Sequence, residues 1–194
     1  MQYCLLCEQM IQSVTTWRTL WTNAFETTIC THCEQKFEKQ KIHENGVTSL
    51  YTYNEAMKQF VHQLKFGQDV ALAQVFRQAI YEQLACESAL IVPIPMHEEN
   101  KRKRTFAHVD ELLRAAHIPF RHVLKKRSTE MMAQKSKEER LQVSQLFDVI
   151  GPVHGLDICL VDDIITTGTT IRLAKEALER AGAYNVKAFT LIHG

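Results

Sequence analysis

The stretch Leu160-Val161-Asp162-Asp163-Ile164-Ile165-Thr166-Thr167-Gly168-Thr169-Thr170 holds the residues best suited to chemistry in this chain. Two adjacent carboxylates follow an apolar run, and four threonines surround one glycine. In open α/β sheets, ligands bind beyond the carboxyl ends of the strands. Residues 166–170 can turn backbone N–H groups and hydroxyls toward a phosphate at the positive end of a helix dipole, with Gly168 allowing close approach. Asp162 and Asp163 would then face sugar hydroxyls or the water shell of a Mg²⁺ ion. This set suits a sugar phosphate. Neither GxxxxGK[ST] nor GxGxxG occurs, which removes the Walker-loop and dinucleotide readings. A solvated strand end with a capping turn needs fewer acids and hydroxyls than stand here. Both acids, lying at a strand end, are expected to be exposed in the unliganded chain, so that Asp162→Asn with Asp163→Asn would leave the fold intact.

A second constellation lies near the start. Of six cysteines, four form two tight pairs, Cys4-Leu5-Leu6-Cys7 and Cys30-Thr31-His32-Cys33, twenty-two residues apart. That is the spacing by which two knuckles offer four thiolates to one tetrahedral Zn²⁺. A redox role would need only one pair, and simple packing would need neither. With Cys4, Cys7, Cys30 and Cys33 filling every position, no coordination site stays open for catalysis, so the ion is structural. A segment of about 40 residues has too small a core to fold alone, and bound zinc contributes roughly 10–16 kcal/mol of apparent binding energy to folding. Cys86 and Cys159 have no partners at metal spacing and read as small buried hydrophobes. The N-terminus lacks a basic segment followed by an apolar one, so a reducing, cytoplasmic setting is expected.

These groups need a scaffold. A chain of 194 residues, 45% hydrophobic and 23% charged, has the composition of a folded globular protein rather than a disordered one, and no apolar run reaches membrane-spanning length. The net charge of +1 argues against nucleic-acid binding spread over the surface. Residues 36–45 are polar and Gly46 punctuates them, which places a boundary between a ribbon at 1–42 and a second unit at 46–194. Residues 47–53 read as a strand, Asn54 as a helix cap, and Met57, Phe60, Val61 and Leu64 as a helical stripe. Leu72, Val75, Phe76, Ala79, Ile80 and Leu84 predict one longer helix after a break at residues 67–69. Residues 89–95 and 158–161 are continuous apolar runs suited to strands buried on both faces, and residues 121–124 suggest a short strand. Val109, Leu112, Leu113 and Ala116 mark another helix, Ser136-Lys137-Glu138-Glu139 has capping-box form, and a helix through Ile171, Ala174, Leu178 and Ala181 ends at Gly182 before a strand at 186–192. The alternation predicts an α/β fold with a mostly parallel sheet flanked by helices.

The acid and threonine stretch resembles the phosphoribosyl pyrophosphate motif of type I phosphoribosyltransferases. The order of the cysteine pairs, Tyr53-Asn54 with residues 62–69 (His-Gln-Leu-Lys-Phe-Gly-Gln-Asp), and Val92-Pro93-Ile94-Pro95 before a basic loop resembles the ComF family of late-competence proteins across essentially the whole chain. The resemblance implies a type I phosphoribosyltransferase-like domain behind a zinc ribbon, binding of phosphoribosyl pyrophosphate with Mg²⁺, and a role in DNA uptake during natural transformation. By position it puts Asp162 and Asp163 on the ribose hydroxyls, Thr166, Thr167, Gly168, Thr169 and Thr170 on the 5′-phosphate, and Lys65 with the Phe66-Gly67 turn in place of the pyrophosphate loop. The family usually shows Arg-Gly-Phe-Asn-Gln after the proline strand; here it is Arg104-Thr105-Phe106-Ala107-His108, so the glycine, asparagine and glutamine are replaced. Arg104 joins Asp162 and Asp163 as a catalytic candidate, because guanidinium suits bidentate phosphate contacts. It closes the densest charge run, Lys101-Arg102-Lys103-Arg104, and Arg121 and Lys125-Lys126-Arg127 follow. Three functions compete: phosphoribosyl transfer to an acceptor, a non-catalytic adaptor contacting single-stranded DNA or a helicase through the ribbon or basic loop, and a ligand sensor that binds phosphoribosyl pyrophosphate without turnover. The scattered histidines have no paired ligand spacing and carry no role at this point.

Overall fold

A computed structural model describes residues 2–11, 25–67, 69–96, 106–127 and 146–194. In chain order the elements are β1 (Gln2–Tyr3), β2 (Met10–Ile11), α1 (Thr31–Glu34), β3 (Lys39–Glu44), β4 (Val47–Thr52), α2 (Glu55–Phe66), a 3₁₀ turn (Val70–Gln74), α3 (Arg77–Leu84), β5 (Leu90–Pro93), α4 (His108–Ala115), β6 (Leu124–Lys126), β7 (Phe147–Val149), β8 (Asp157–Ile165), α5 (Thr169–Arg180) and β9 (Asn185–His193). The central sheet has the order β3-β4-β9-β8-β5, with β4, β9, β8 and β5 parallel and β3 antiparallel at the edge. The expected α/β fold with a mostly parallel sheet is therefore present. Lys101, Arg102, Lys103, Arg104 and the capping box at Ser136 lie outside the described residues.

The polar segment read as a boundary is instead β3 and its turn. Asn45 and Gly46 take φ of 51° and 75°, the left-handed pair of a two-residue hairpin, and so fold β3 onto β4. An edge strand has one sheet partner and can stay polar, which is why residues 39–44 show no apolar alternation. The sheet thus begins at Lys39, inside the segment assigned to the ribbon.

Alternating side chains of β8 point to opposite faces of the sheet. Ile158 and Leu160 pack with Ile171, Ala174 and Leu178 of α5, whereas Cys159 and Val161 join the core formed by α2, α3 and α4. Asn54 caps α2 by accepting from the Met57 N–H at 2.9 Å, and Met57, Phe60 and Leu64 face the sheet. The single helix expected through Leu84 is divided. Asp69 caps a 3₁₀ turn by accepting from the Ala71 N–H, and Phe76, at φ −105° and ψ 10°, breaks the run before α3. Leu72, Phe76, Ile80 and Leu84 are buried all the same, because the break keeps their spacing on one side. Phe76 meets Phe60 and Phe37 edge-on at 4.8 and 4.9 Å between ring centroids. Through Phe37, with Ile29, Cys4 and Cys33, the cysteine segment shares one core with α2 and α3.

The short strand expected at residues 121–124 is β6, displaced toward Lys126 and paired with β7; Arg127 Nε donates to Asp148 Oδ1 at 2.8 Å beside it. Cys159 is buried as expected and its thiol is pushed up to about 12 by burial, but Cys86 is exposed just past the end of α3. Gly182 follows α5 at φ 91°, and a Cβ there would lie 2.7 Å from His154 Cδ2. Gly182→Ala is expected to cost more than about 1 kcal/mol, read as a lower thermal midpoint. Among the described residues no helix is long and apolar enough to cross a membrane.

Candidate functional site

The alternation of β8 continues past its apolar segment. Asp162 takes the α5 side after Leu160, and Asp163 takes the side of α2 and α4 after Val161. Asp163 therefore does not lie exposed at a strand end: it is 5% exposed, with its Oδ2 paired to Lys65 Nζ and 3.5 Å from His108 Nε2. Lys65 comes from the last turn of α2 and His108 from the first residue of α4. Parallel β5 and β8, with α2 and α4 packed on that face, bring these distant segments to one point. Lys65 and Phe66 are helical rather than part of a loop, and Gly67 has an ordinary φ of −76°.

The two acids behave differently. Burial and repulsion from Asp163 hold the Asp162 carboxyl well above the usual range; its Oδ1 accepts from the Asp163 N–H at 2.9 Å. Burial also works to raise Asp163, but His108 and the Lys65 ammonium outweigh it and hold this carboxyl below the ordinary value. Among the described residues, Lys65 is the one ammonium paired with either acid. The donor atoms of His108, Asp162 and Asp163 all lie within 4.8 Å of one another, close enough for a single ion. His108 Nδ1, buried, has no hydrogen-bond partner among the described residues.

Lys65, His108, Asp162, Asp163 and Thr170 line one cleft of about 600 Å³, whose rim carries Lys125 and Lys126. Thr166, Thr167 and Gly168 line a second cavity of about 580 Å³ with Arg172 and His193. Gly168, at φ 69°, turns the chain from β8 into α5 and supplies no side-chain cap; Thr167 Oγ1 accepts weakly from the Thr169 N–H at 3.4 Å. The positive end of twelve-residue α5, with exposed Thr169 at its first position, therefore follows Asp163 by six residues. Of the expected ligand set, Lys65, Asp162, Asp163 and Thr170 are brought together, residues 166–168 open onto the neighbouring cavity, and Thr169 is exposed between them. His108 belongs to the site although its sequence spacing gives no sign of it. The available signal is its place at the end of the Arg104-Thr105-Phe106-Ala107-His108 stretch, where the family resemblance puts a polar residue.

The cysteines form a separate centre. The sulfurs of Cys4, Cys7, Cys30 and Cys33 lie within 4.8 Å of one another, with Cys7 and Cys30 at 3.7 Å. Tetrahedral Zn–S bonds of about 2.3 Å would space sulfurs by about 3.8 Å, so this group could hold a zinc ion. Without a cation the thiols separate sharply. Cys4 resists burial and falls to about 6 because backbone N–H groups near Cys30 and Leu6 support its thiolate, while burial and its sulfur neighbours push Cys33 to about 12. A divalent ion would ionise all four.

The phosphoribosyl transferase domain family matches residues 103–194, covering α4, β6, β7, β8, α5 and β9. Competence protein ComFC of Bacillus subtilis is 28% identical over 97% of this chain and 94% of its own length. Among solved structures, the glutamine phosphoribosylpyrophosphate amidotransferase of B. subtilis aligns with 63% of this chain and 26% of that chain, at 22% identity and a TM-score of 0.45. The likeness to competence protein ComFC of Streptococcus pneumoniae runs end to end, at 31% identity over 97% of this chain and 99% of that one, and the chain therefore belongs to the ComF family.

Proposed function

We propose that the cleft binds phosphoribosyl pyrophosphate with Mg²⁺ and that the chain transfers the phosphoribosyl group, in the cytoplasm, in support of competence for DNA uptake. The carrying observation is that Asp162 and Asp163 at the end of β8 line one cleft with Thr170 of the first turn of α5 and Lys65. In this reading the acids receive the ribose hydroxyls, and the first-turn N–H groups of α5, with the hydroxyls of residues 166–170, receive the 5′-phosphate. Lys65 and the basic rim of Lys125 and Lys126 stabilise the departing pyrophosphate, and the sequence offers Arg104, outside the described residues, for the same role. The donor set of two carboxylates fits a hard divalent ion, and Asp162 and Asp163 would hold it through its water or the sugar hydroxyls. Such an ion, when bound, offsets charge on the pyrophosphate. The competence role follows the relatives' name, and contact with single-stranded DNA or a helicase belongs to the alternative adaptor reading.

Asp162→Asn provides the test. Asp162 is half-buried, and the amide keeps its volume, so the fold should persist while the ribose contact is lost. Ligand at about 100 times its dissociation constant stabilises a binding chain by about 2.7 kcal/mol. The wild type should therefore gain several degrees in thermal midpoint with phosphoribosyl pyrophosphate and Mg²⁺, and the variant none. A full gain in the variant would remove Asp162 from the site. Stabilisation without pyrophosphate release from any acceptor would favour a ligand sensor over a transferase.

A further inference from the structure

Phosphoribosyl transfer to a neutral acceptor leaves one proton without a destination. An acceptor with a hydrogen on its nucleophilic atom loses it as the bond to the sugar forms, and that transfer needs a base within hydrogen-bond reach. The groups already placed in the cleft do not supply one. Asp163 is paired with the Lys65 ammonium, Asp162 faces the ribose, His108 is buried beside Asp163, and Lys125 and Lys126 are cations. The same cleft is lined by one further titratable pair, Asp110 and His122.

Asp110, in the first turn of α4, is 7% exposed. A buried carboxylate needs partners. Arg114 Nη2 stands 3.9 Å away, at the limit of an ion pair, whereas His122 Nε2 lies 3.0 Å from Asp110 Oδ2. An ionised carboxylate only accepts, so Nε2 carries the hydrogen and Nδ1 keeps a lone pair. Phe120 meets the ring edge-on at 5.5 Å between centroids, and the His122 side chain is half-exposed on the cleft wall. Fastening the segment does not require this pair. The Arg121 N–H donates to Ile91 O at 3.0 Å and the Ile150 N–H to Val123 O at 2.8 Å, so backbone bonds on either side of His122 already hold it. A carboxylate that fixes the tautomer and orientation of an accessible imidazole is the arrangement by which a histidine is made into a base.

The geometry points to His122 as the base that takes the acceptor's proton, with Asp110 as its positioning residue. The bond from C1′ to the pyrophosphate oxygen breaks and its electron pair leaves with pyrophosphate, while the acceptor's lone pair forms the new bond at C1′. The acceptor's hydrogen passes as a proton to His122 Nδ1, and the Nε2–H stays on Asp110. The acceptor is then a molecule with a neutral N–H or O–H nucleophile. His122 serves the phosphoribosyl transfer proposed above, and its role stands only if that transfer occurs.

The experiment measures pyrophosphate release from phosphoribosyl pyrophosphate and Mg²⁺ by the zinc-loaded chain, with two small probes in the acceptor's place. Hydroxylamine must lose a proton on attack; azide is an anion with none to lose. The wild type should turn over with each. His122→Gln should lower the ratio of the hydroxylamine rate to the azide rate about a hundredfold. Asp110→Asn should lower that ratio about tenfold or more, because the group that fixes the tautomer is gone, and Asp110→Glu, which restores a carboxylate, should recover part of it. A pair that only shapes the cleft slows both probes alike, so an unaltered ratio in a folded His122→Gln chain overturns the base. A ratio unmoved in Asp110→Asn, or no higher in Asp110→Glu, overturns the positioning role. Thermal midpoints measured with and without phosphoribosyl pyrophosphate keep the two readings apart. A chain stabilised by the ligand that fails to turn over with either probe overturns the base and leaves the sugar-phosphate site standing, whereas a chain that ignores the ligand overturns both.

Discussion

Loading the four-cysteine cluster with zinc is expected to raise the thermal midpoint of the whole chain by about 10 °C or more over the metal-free chain. The size of the effect comes from shared packing. Cys4, Cys33, Ile29 and Phe37 lie in one continuous core with Met57, Phe60, Phe76 and Ile80, so the cysteine segment does not melt by itself. Structural zinc contributes about 10–16 kcal/mol of apparent binding energy in small peptides, and in a chain of this length 1 kcal/mol moves the midpoint by roughly 2–4 °C. Even a fraction transmitted through Phe37 and its edge-on contact with Phe76 gives a visible shift. Calorimetric scans with and without a strong chelator, repeated on Cys33→Ala, check it. A small separate transition with an unmoved main peak would show that the ribbon and the body are energetically independent.

Asp163→Asn is the second large effect, about 3–5 kcal/mol of lost stability, because it leaves a buried ammonium without its anion. The structure thereby revises the expectation that both acids can be neutralised without harm: that holds for half-buried Asp162 and fails for Asp163. A Lys65→Met chain should lose a comparable amount, and the double variant should recover part of the loss, since the two unpaired charges are then removed together. The pH dependence follows from the signs. Asp163 titrates lower in the folded chain than its unfolded value near 3.9, so its contribution is complete above that value and is lost as pH falls through the folded one. Asp162 titrates higher in the folded chain, so its contribution is present below the unfolded value and fades as pH rises through the folded one. Asp163→Asn should therefore flatten the loss of stability in acid, and Asp162→Asn should raise stability toward neutral pH. Chemical denaturation from pH 3 to pH 8 separates the two, and identical profiles would contradict the assignment.

Much of the architecture was legible because buried strands and amphipathic helices leave local marks. The runs at residues 89–95 and 158–161 became β5 and β8, and the stripes through Leu64 and Leu178 became α2 and α5. What the residues did not reveal is equally physical. β3 is an edge strand with an exposed polar surface, so it lacks the alternation by which strands are recognised, although Asn45-Gly46 is a hairpin signal in its own right. The division of the helix before Arg77 depends on Phe76, whose backbone breaks the helix while its ring stays in the core. At the site, the acids and the threonine loop are contiguous and could be read directly. His108 and Lys65 could not be joined to Asp163 by spacing, because only the parallel pairing of β5 with β8 and the packing of α2 and α4 brings them together. The burial of Asp163 follows from strand parity, since it continues the face of Cys159 and Val161.

Isothermal titration of phosphoribosyl pyrophosphate into the zinc-loaded chain asks whether this cleft is a sugar-phosphate site. The expected result is saturable heat with one ligand per chain, strengthened by Mg²⁺ and abolished by Asp162→Asn. Absence of saturable binding with Mg²⁺ present, in a chain shown to be folded, would contradict it.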